Sequence, residues 1–202
     1  KIITNESDLP IRKDIFDLRP KCVDKWYAVN VEYEHKDLIP IPIGLANYTC
    51  SITLKIEDIL NGKKHNPTKL LYVNHRRSTN PSERNWIYEY FKIIDGCTLK
   101  ECPLSFEEYK KDLMEHKFMI CPRGNGVDTH RLWECVYAGV IPVVENNIIY
   151  KNMQDLPILF VDSFREINKE KLINFDLSDK KIEKIDIQYW KRLIESAQKQ
   201  ST

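Results

Sequence analysis

The sequence FMICPRGNGVDTHRLWECVYAGVIPVV, residues 118 to 144, indicates the fold of this chain. An apolar run is followed by a polar turn with two glycines, then by a helix-like segment, then by a second apolar run. Asp128 stands where a helix N-cap is expected, and Gly139 where a left-handed C-cap ends the helix. The order strand, turn, helix and strand is the unit from which parallel sheets are built.

The same alternation extends along the rest of the chain. Apolar runs at 69–73 and 158–162 predict further strands, and 187–199 predicts a closing helix. Residues 39–44 alternate Ile with Pro, which excludes a helix and favours an edge strand or an extended connection. Two helices are predicted to begin at capping-box spacings: Asn80 with Glu83, and Ser105 with Glu108. We therefore predict an α/β protein whose parallel sheet is covered on both faces.

Composition limits the classes of function. The 202 residues are 42% hydrophobic and 30% charged, which is ordinary for a globular protein. A formal net charge of +1 argues against a basic face for nucleic acid or an anionic membrane. No apolar run reaches the ~18 residues of a transmembrane helix. The chain begins with Lys1 rather than Met, so we expect a piece of a longer polypeptide or a late start of the numbering.

The six cysteines lack the spacing of a zinc site. A chain of this length can bury a core without disulfide staples. We therefore expect reduced thiols and a cytoplasmic location.

Two polar loops, 74–80 and 122–131, follow predicted strands. Ligands bind parallel sheets at the carboxyl ends of the strands, so these loops are expected to form one site. Gly124 and Gly126 are expected to take positive φ and let the backbone approach a ligand. The helix that follows presents free N–H groups and a positive dipole end, which suit an anion.

The charged residues of these loops predict a nucleotide-phosphate site. The arginines expected to bind phosphate oxygens are Arg76, Arg77, Arg123 and Arg131. Glu134 shares a helix face with Arg131 and is expected to accept hydrogen bonds from ribose hydroxyls. The spacing matches neither the G-x-G-x-x-G fingerprint nor a Walker loop. An alternative remains, in which the glycines only turn the chain, Asp128 only caps, and Arg131 and Glu134 form an exposed salt bridge.

The stretch CPRGNGVDTHRLWE…YAGVIPVV resembles the C-terminal signature of exostosin-like glycosyltransferases. Four further segments resemble parts of the same family in the same order: residues 3–11, 26–47, 70–84 and 156–164. The resemblance implies the GT-B architecture, two Rossmann-like domains with parallel sheets that face a cleft. Here it implies a reduced N-terminal, acceptor-side part at 1–66 and a nucleotide-sugar-binding domain at 67–186. A final helix at 187–202 is expected to cross back toward the N-terminal half.

The activity that the resemblance implies is transfer of a sugar, with inversion, to a hydroxyl of a glycan or glycoprotein. The donor is expected to be a UDP-sugar, with no bound metal or other cofactor. No D-x-D triplet occurs in the sequence to hold a metal on a diphosphate, so arginines and helix N–H groups are expected to stabilise the leaving group.

The residue roles follow from the resemblance. Residues 123–126 are expected around the diphosphate, His130 and Arg131 beside it, and Glu134 on the ribose. The full set expected to contact the donor is Asn74, Arg76, Arg77, Arg123, Gly124, Asn125, Gly126, Asp128, Thr129, His130, Arg131 and Glu134.

The general base is expected from the N-terminal half. Asp8 is favoured and Glu6 is the second candidate, although a turn or cap role for Asp8 is an equal alternative. The residues considered for the acceptor side are Trp26, Tyr27 and Asn30, with core burial equally expected for the two aromatics. His35 and His75 are interpreted as surface or hydrogen-bonding residues rather than catalysts.

The sequence leaves three alternatives to the glycosyltransferase hypothesis. The main alternative is a non-catalytic nucleotide- or carbohydrate-binding module of a larger protein, because the N-terminal part is small. An S-adenosylmethionine-dependent methyltransferase is disfavoured, since the loop after residues 69–73 lacks glycine. A nucleic-acid binder is disfavoured because the arginines converge on one predicted site instead of forming a stripe.

Overall fold

The computed structural model describes residues 1–5, 7–47, 49–50, 53–60 and 66–196. Within these ranges the named strands form two sheets, and all their pairings are parallel. The first sheet has the order β1 (Ile2–Thr4), β2 (Trp26–Ala28) and β3 (Leu38–Pro40). β3 is an edge strand, as the Ile-Pro alternation predicts, because Pro cannot donate to a neighbouring strand.

The second sheet contains five strands. They are β4 (Lys69–Val73), β5 (Cys97–Leu99), β6 (His116–Ile120), β7 (Ile141–Glu145) and β8 (Leu159–Val161). Their spatial order is β5-β4-β6-β7-β8, so the direction of winding reverses between β4 and β6. Sheets of this kind bind ligands outside the carboxyl ends of the strands at such a reversal. The α/β class and the parallel arrangement are confirmed.

The helices of the described ranges connect these strands. They are α1 (Lys13–Asp17), α2 (Ile56–Leu60), α3 (Pro81–Phe91), α4 (Phe106–Glu115), α5 (His130–Ala138), α6 (Lys169–Ile173) and α7 (Ile187–Ser196). None of the helices in the described part of the chain is long and apolar enough to cross a membrane.

The predicted helix ends are confirmed in part. Ser105 and Glu108 form the complete capping box of α4. Gly139 ends α5 with a φ of +79°, as the C-cap pattern predicts. The N-cap of α5 is Thr129, so the prediction of Asp128 was wrong by one residue. Asn80 is the N-cap of α3, but its side chain makes no capping hydrogen bond.

Apolar side chains cover both faces of the second sheet. Along β4, Leu71 and Val73 pack against residues of α3 and α6, whereas Tyr72 packs against residues of α4 and α5. The strands alternate side chains between faces, so a sheet buried on both sides needs the near-continuous apolar runs seen in the sequence. The cluster beneath α5 also contains Trp26 and Ala28 of the first sheet. One apolar core therefore joins the two sheets.

α7 returns to the N-terminal sheet. Trp190 is buried in the core that also contains Trp26, and its indole Nε1 donates to the carbonyl of Lys184. Lys1 Nζ donates to the carbonyl of Ile194. The predicted domain boundary at 66/67 adjoins residues 61–65, which lie outside the described residues, and stays a prediction.

Candidate functional site

A cleft of about 290 Å³ opens at the carboxyl ends of β4 and β6. We call it the arginine cleft; its wall includes His75, Arg76, Arg84, His130, Arg131 and Glu134. These residues come from the loop after β4, from α3 and from the start of α5. The two predicted polar loops therefore meet at the reversal of strand order.

Arg84 was missed by the sequence analysis. It is only 9% exposed. Its Nε donates to the carbonyl of Arg123 at 2.8 Å, Nη1 to that of Arg76 at 3.0 Å and Nη2 to that of Pro122 at 3.1 Å. This guanidinium joins the two loops of the cleft. The available signal was its place one turn into α3, from which a long side chain reaches back toward the preceding loop.

Arg131 is held against the floor of the arginine cleft. Its Nη1 donates to the backbone carbonyl of Asn74 and, at 3.2 Å, to the side-chain Oδ1 of Asn74. The guanidinium lies 4.6 Å above the centre of the Tyr109 ring. Asn74 is 1% exposed, and its Nδ2 donates to the carbonyl of Lys100. Asn74 thus positions Arg131 and also lines the cleft, and its predicted contact with a donor stays a prediction.

Across the described ranges, no carboxylate lies within 4.0 Å of the guanidinium nitrogens of Arg76, Arg84 or Arg131. The two other arginines predicted to bind phosphate, Arg77 and Arg123, do have carboxylate neighbours. Arg77 lies 3.6 Å from Glu89 and 3.3 Å from Glu101, away from the cleft wall. Arg123 lies 4.0 Å from Glu32 and is also outside the cleft wall. The cleft therefore gathers cationic side chains that form no ion pair within 4.0 Å with the described residues, while the pKa of Arg131 is raised, against the effect of burial, by electrostatic attraction to Tyr109 and Glu134 on the same wall.

Glu134 is the acidic residue of the cleft wall, and it is 2% exposed. Its Oε1 accepts from the backbone N–H of Leu54 at 3.1 Å, and its Oε2 accepts from the hydroxyl of Tyr109. Glu134 and Arg131 share the cleft but form no ion pair, so the alternative of an exposed salt bridge between them is wrong. An ionised carboxylate has about four acceptor positions, so two remain for a ligand.

Asp128 forms the centre of a separate group that we call the Asp128 cluster, together with Asn30, Gly126, Trp133 and the backbone of Ile43. Its carboxylate accepts from Trp133 Nε1 at 2.9 and 3.1 Å and from the N–H of Ile43 at 2.7 Å. The pKa of Asp128 is raised to about 6, because the effect of burial outweighs the opposing effect of these hydrogen bonds. Asp128 is 4% exposed and does not line the arginine cleft, so its predicted donor contact is not supported.

Asn30 connects the Asp128 cluster to the first sheet. It is 1% exposed and has a φ of +53°. Its Nδ2 donates to the carbonyl of Ser7 at 2.9 Å, and its Oδ1 accepts from the N–H of Asp128 at 3.0 Å. The predicted role on the acceptor surface is replaced by an internal link between the two halves of the protein.

The prediction of positive φ at Gly124 and Gly126 was wrong, since neither is among the positive-φ glycines. The two positions differ in the room that is available for a side chain. A Cβ on Gly126 would lie 2.6 Å from Nδ2 of Asn30, so only glycine fits there. A Cβ on Gly124 would lie 3.4 Å from Nη2 of Arg84 and 3.7 Å from Thr79 Cγ2, which is ordinary contact. Gly126 packs in the Asp128 cluster, whereas Gly124 packs against Arg84 and Thr79 of the cleft wall.

A second cleft of about 300 Å³ lies on the side of the first sheet. We call it the Asp8 cleft; its wall includes Ser7, Asp8, Ile43, Leu45 and His130. Asn125 Nδ2 donates to Asp8 Oδ2 at 3.2 Å. His130 borders both clefts, and its Nδ1 donates to the carbonyl of Gly44 at 2.8 Å. Thr129, the N-cap of α5, makes no side-chain capping bond. Glu6 lies outside the described residues.

Trp26, Tyr27 and His35 line neither of the two clefts. Trp26 and Tyr27 are 8% and 2% exposed, and neither borders the Asp8 cleft. His35 Nδ1 accepts from the N–H of Asp37 at 3.0 Å, in a turn remote from the arginine cleft. His75 is buried, and its Nε2 donates to the carbonyl of Arg84 at 2.9 Å. The thiols of Cys121 and Cys135 lie 3.8 Å apart in the core.

No protein-family model matches the chain, and neither does any curated protein. Function must therefore be inferred from the residues and their geometry.

Proposed function

We propose that the arginine cleft binds the diphosphate of a nucleotide-sugar and that the protein is an inverting glycosyltransferase of GT-B type. The observation that carries this proposal is the grouping of Arg76, Arg84 and Arg131 around one cleft. Within the described residues, no carboxylate oxygen lies within 4.0 Å of their guanidinium nitrogens. Arg84 is buried, Arg131 is half-buried and Arg76 is exposed. A buried cation without an ion pair is costly, and a bound diphosphate would supply negative charge beside Arg84.

The position of the cleft supports an anionic ligand. It lies where the strand order reverses, beside the N-terminus of α5. The first N–H groups of a helix have no partners within the helix, and Thr129 does not cap them with its side chain. These N–H groups and the arginines stabilise negative charge that develops on a departing diphosphate.

Glu134 supports the nucleoside part of the ligand. Its carboxylate borders the cleft and keeps acceptor positions beyond those used by Leu54 and Tyr109. Paired ribose hydroxyls are donors of the right kind. This agrees with the role that the sequence resemblance implies for Glu134.

Asp8 is the proposed general base. It lies in the cleft that meets the arginine cleft at His130, and its Oδ2 is held by Asn125. In the proposed reaction, an acceptor hydroxyl passes its proton to Asp8 while its oxygen bonds to the anomeric carbon. The bond from that carbon to the diphosphate oxygen breaks on the opposite face, and the nucleoside diphosphate leaves with the electron pair.

One observation favours the second candidate, a non-catalytic nucleotide-binding module. The strands of the first sheet have three residues each, and the wall of the Asp8 cleft within the described chain holds no Phe, Tyr or Trp side chain to stack on a sugar. Both candidates predict nucleotide binding, so only turnover separates them.

The first experiment is a thermal-shift panel of UDP, GDP, CMP and S-adenosylmethionine without added metal. A ligand at about 100 times its Kd stabilises the folded state by about 2.7 kcal/mol, which raises the Tm by several degrees. We expect a shift with UDP. The absence of a shift with every ligand would overturn both candidates.

The second experiment measures release of UDP from UDP-sugars with and without glycan acceptors. The wild-type protein is compared with Asp8→Asn, whose side-chain oxygen can still accept from Asn125. We expect Asp8→Asn to bind UDP as the wild type does and to lose turnover by about 100-fold or more. Binding without turnover in the wild type would identify a module.

A further inference from the structure

The wall of the arginine cleft contains a buried acceptor without a donor. His75 is 3% exposed and borders the cleft directly after β4. Its Nδ1 is buried, and none of the described residues forms a hydrogen bond with it. Most buried polar atoms in native proteins have a partner, so an exception at a ligand cleft is informative.

The other ring nitrogen determines the tautomer. Nε2 lies 2.9 Å from the carbonyl oxygen of Arg84. A carbonyl oxygen only accepts hydrogen bonds, so Nε2 carries the proton. In the neutral ring, Nδ1 then presents a lone pair.

The surroundings keep the imidazole neutral. Burial, together with the positive charges of Arg84, Arg131 and Arg77, lowers the pKa of His75 to about 4, and the hydrogen bond to the Arg84 carbonyl opposes part of this shift. At neutral pH the cleft therefore offers one uncharged acceptor among its cationic donors.

We infer that Nδ1 of His75 accepts a hydrogen bond from the N3–H of a uracil base and selects uridine over cytidine nucleotides. This inference rests on the proposed nucleotide site. Uracil carries a hydrogen on N3, whereas the N3 of cytosine is a lone pair that would face the lone pair of His75. The volume of about 290 Å³ lies at the lower end of ligand pockets, which favours a single-ring base over a purine.

The test compares the affinities of UDP and CDP by titration calorimetry in the wild type and in His75→Gln. The amide nitrogen of Gln can donate to the Arg84 carbonyl as Nε2 does, but Gln has no acceptor at the position of Nδ1. We expect the wild type to bind UDP at least about tenfold more tightly than CDP, the size of one hydrogen-bond contribution. In His75→Gln the ratio of the two affinities falls to near one.

Two outcomes overturn the inference while the nucleotide site stands. One is an unchanged UDP/CDP ratio in His75→Gln, and the other is an equal loss for both nucleotides, which places the contact on the ribose or phosphate. If the wild-type protein binds neither nucleotide, the inference fails together with the proposed function.

A measurement on the wild-type protein covers the case in which His75→Gln does not fold. Heteronuclear NMR reports the tautomer of His75 and a change at Nδ1 when a hydrogen bond forms. We expect UDP to shift the Nδ1 resonance and CDP to leave it unshifted. The same response to both nucleotides contradicts the inference.

Discussion

The Asp128 cluster and the arginine cleft both contain residues of the same loop and helix, 122–134. They differ in whether their charged groups are paired inside the protein. In the Asp128 cluster, the carboxylate of Asp128 and the amide of Asn30 are fully engaged inside the protein. In the arginine cleft, Arg84 and Arg131 bind carbonyl oxygens but meet no carboxylate of the described chain within 4.0 Å. Internal pairing indicates a role in stability, whereas unneutralised charge indicates a ligand.

The comparison assigns different roles to neighbouring residues. Gly126 and Asp128 hold the halves of the protein together, while Arg131 lines the cleft and Gly124 packs against Arg84 of its wall. Substitutions in the first set should therefore reduce stability, and substitutions in the second should reduce nucleotide affinity.

The largest effect is expected for Asp128→Ala. The indole N–H of Trp133 and the N–H of Ile43 would lose their acceptor. Each unsatisfied donor costs about 1–3 kcal/mol, so we expect the free energy of unfolding to fall by about 4 kcal/mol. Urea denaturation measures the loss, with Asp162→Ala at an exposed aspartate as the control. A loss below about 1 kcal/mol would contradict a stabilising role for the Asp128 cluster.

The next effect is expected for Arg84→Met, which removes a buried cation but keeps an aliphatic side chain of similar length. We expect UDP affinity to fall about 100-fold, because charge-assisted bonds to phosphate are lost and the two loops are no longer joined. Arg77→Met is the matched control, since Arg77 pairs with Glu89 and Glu101 outside the cleft. Equal losses in both variants, measured by calorimetry, would contradict the separate role of the cleft.

The dependence of stability on pH should have opposite signs in the two regions. The raised pKa of Asp128, about 6, means that the folded state retains a proton that the unfolded state loses near pH 4. Its contribution to stability therefore falls as pH rises from about 4 to 6. The lowered pKa of His75, about 4, has the reverse consequence, and its contribution rises between about pH 4 and 6.5.

Each of these contributions is on the order of 3 kcal/mol, and they partly cancel in the wild type. Relative to the wild type, the stability of Asp128→Asn should rise with pH across this window and that of His75→Gln should fall. Urea denaturation at a series of pH values measures both slopes. Parallel curves for the three proteins would exclude the assigned titrations.

The smallest effect is expected for the two glycines. Gly126→Ala places a methyl group 2.6 Å from the Asn30 amide, so we expect a loss of roughly 1.5 kcal/mol in stability from overpacking. Gly124→Ala meets its neighbours at 3.4 Å or more and should leave the Tm nearly unchanged while it weakens UDP binding. Thermal denaturation measures the Tm of both variants, and calorimetry measures their affinity for UDP. Equal Tm losses would contradict the different roles of the two glycines.

The predicted site differed from the observed one in its individual contacts. The two polar loops meet as expected, because the carboxyl ends of neighbouring parallel strands share one edge of a sheet. The choice among arginines was not predictable: Arg77 turns to Glu89 and Glu101, and Arg84 takes a place on the cleft wall. The residues that pair with an arginine side chain come from other helices and loops, so the local sequence pattern does not predict them.

The sequence by itself determined the α/β class, the capping box at Ser105 and the C-cap at Gly139, because periodicity and cap chemistry depend on residues a few positions apart. Only the tertiary structure decided that Asn30 lies under Gly126 and bonds Asp128, which is 98 positions away in the chain. That pairing depends on how the two sheets pack through a shared core. The same packing sets which charges are neutralised and which are left for a ligand.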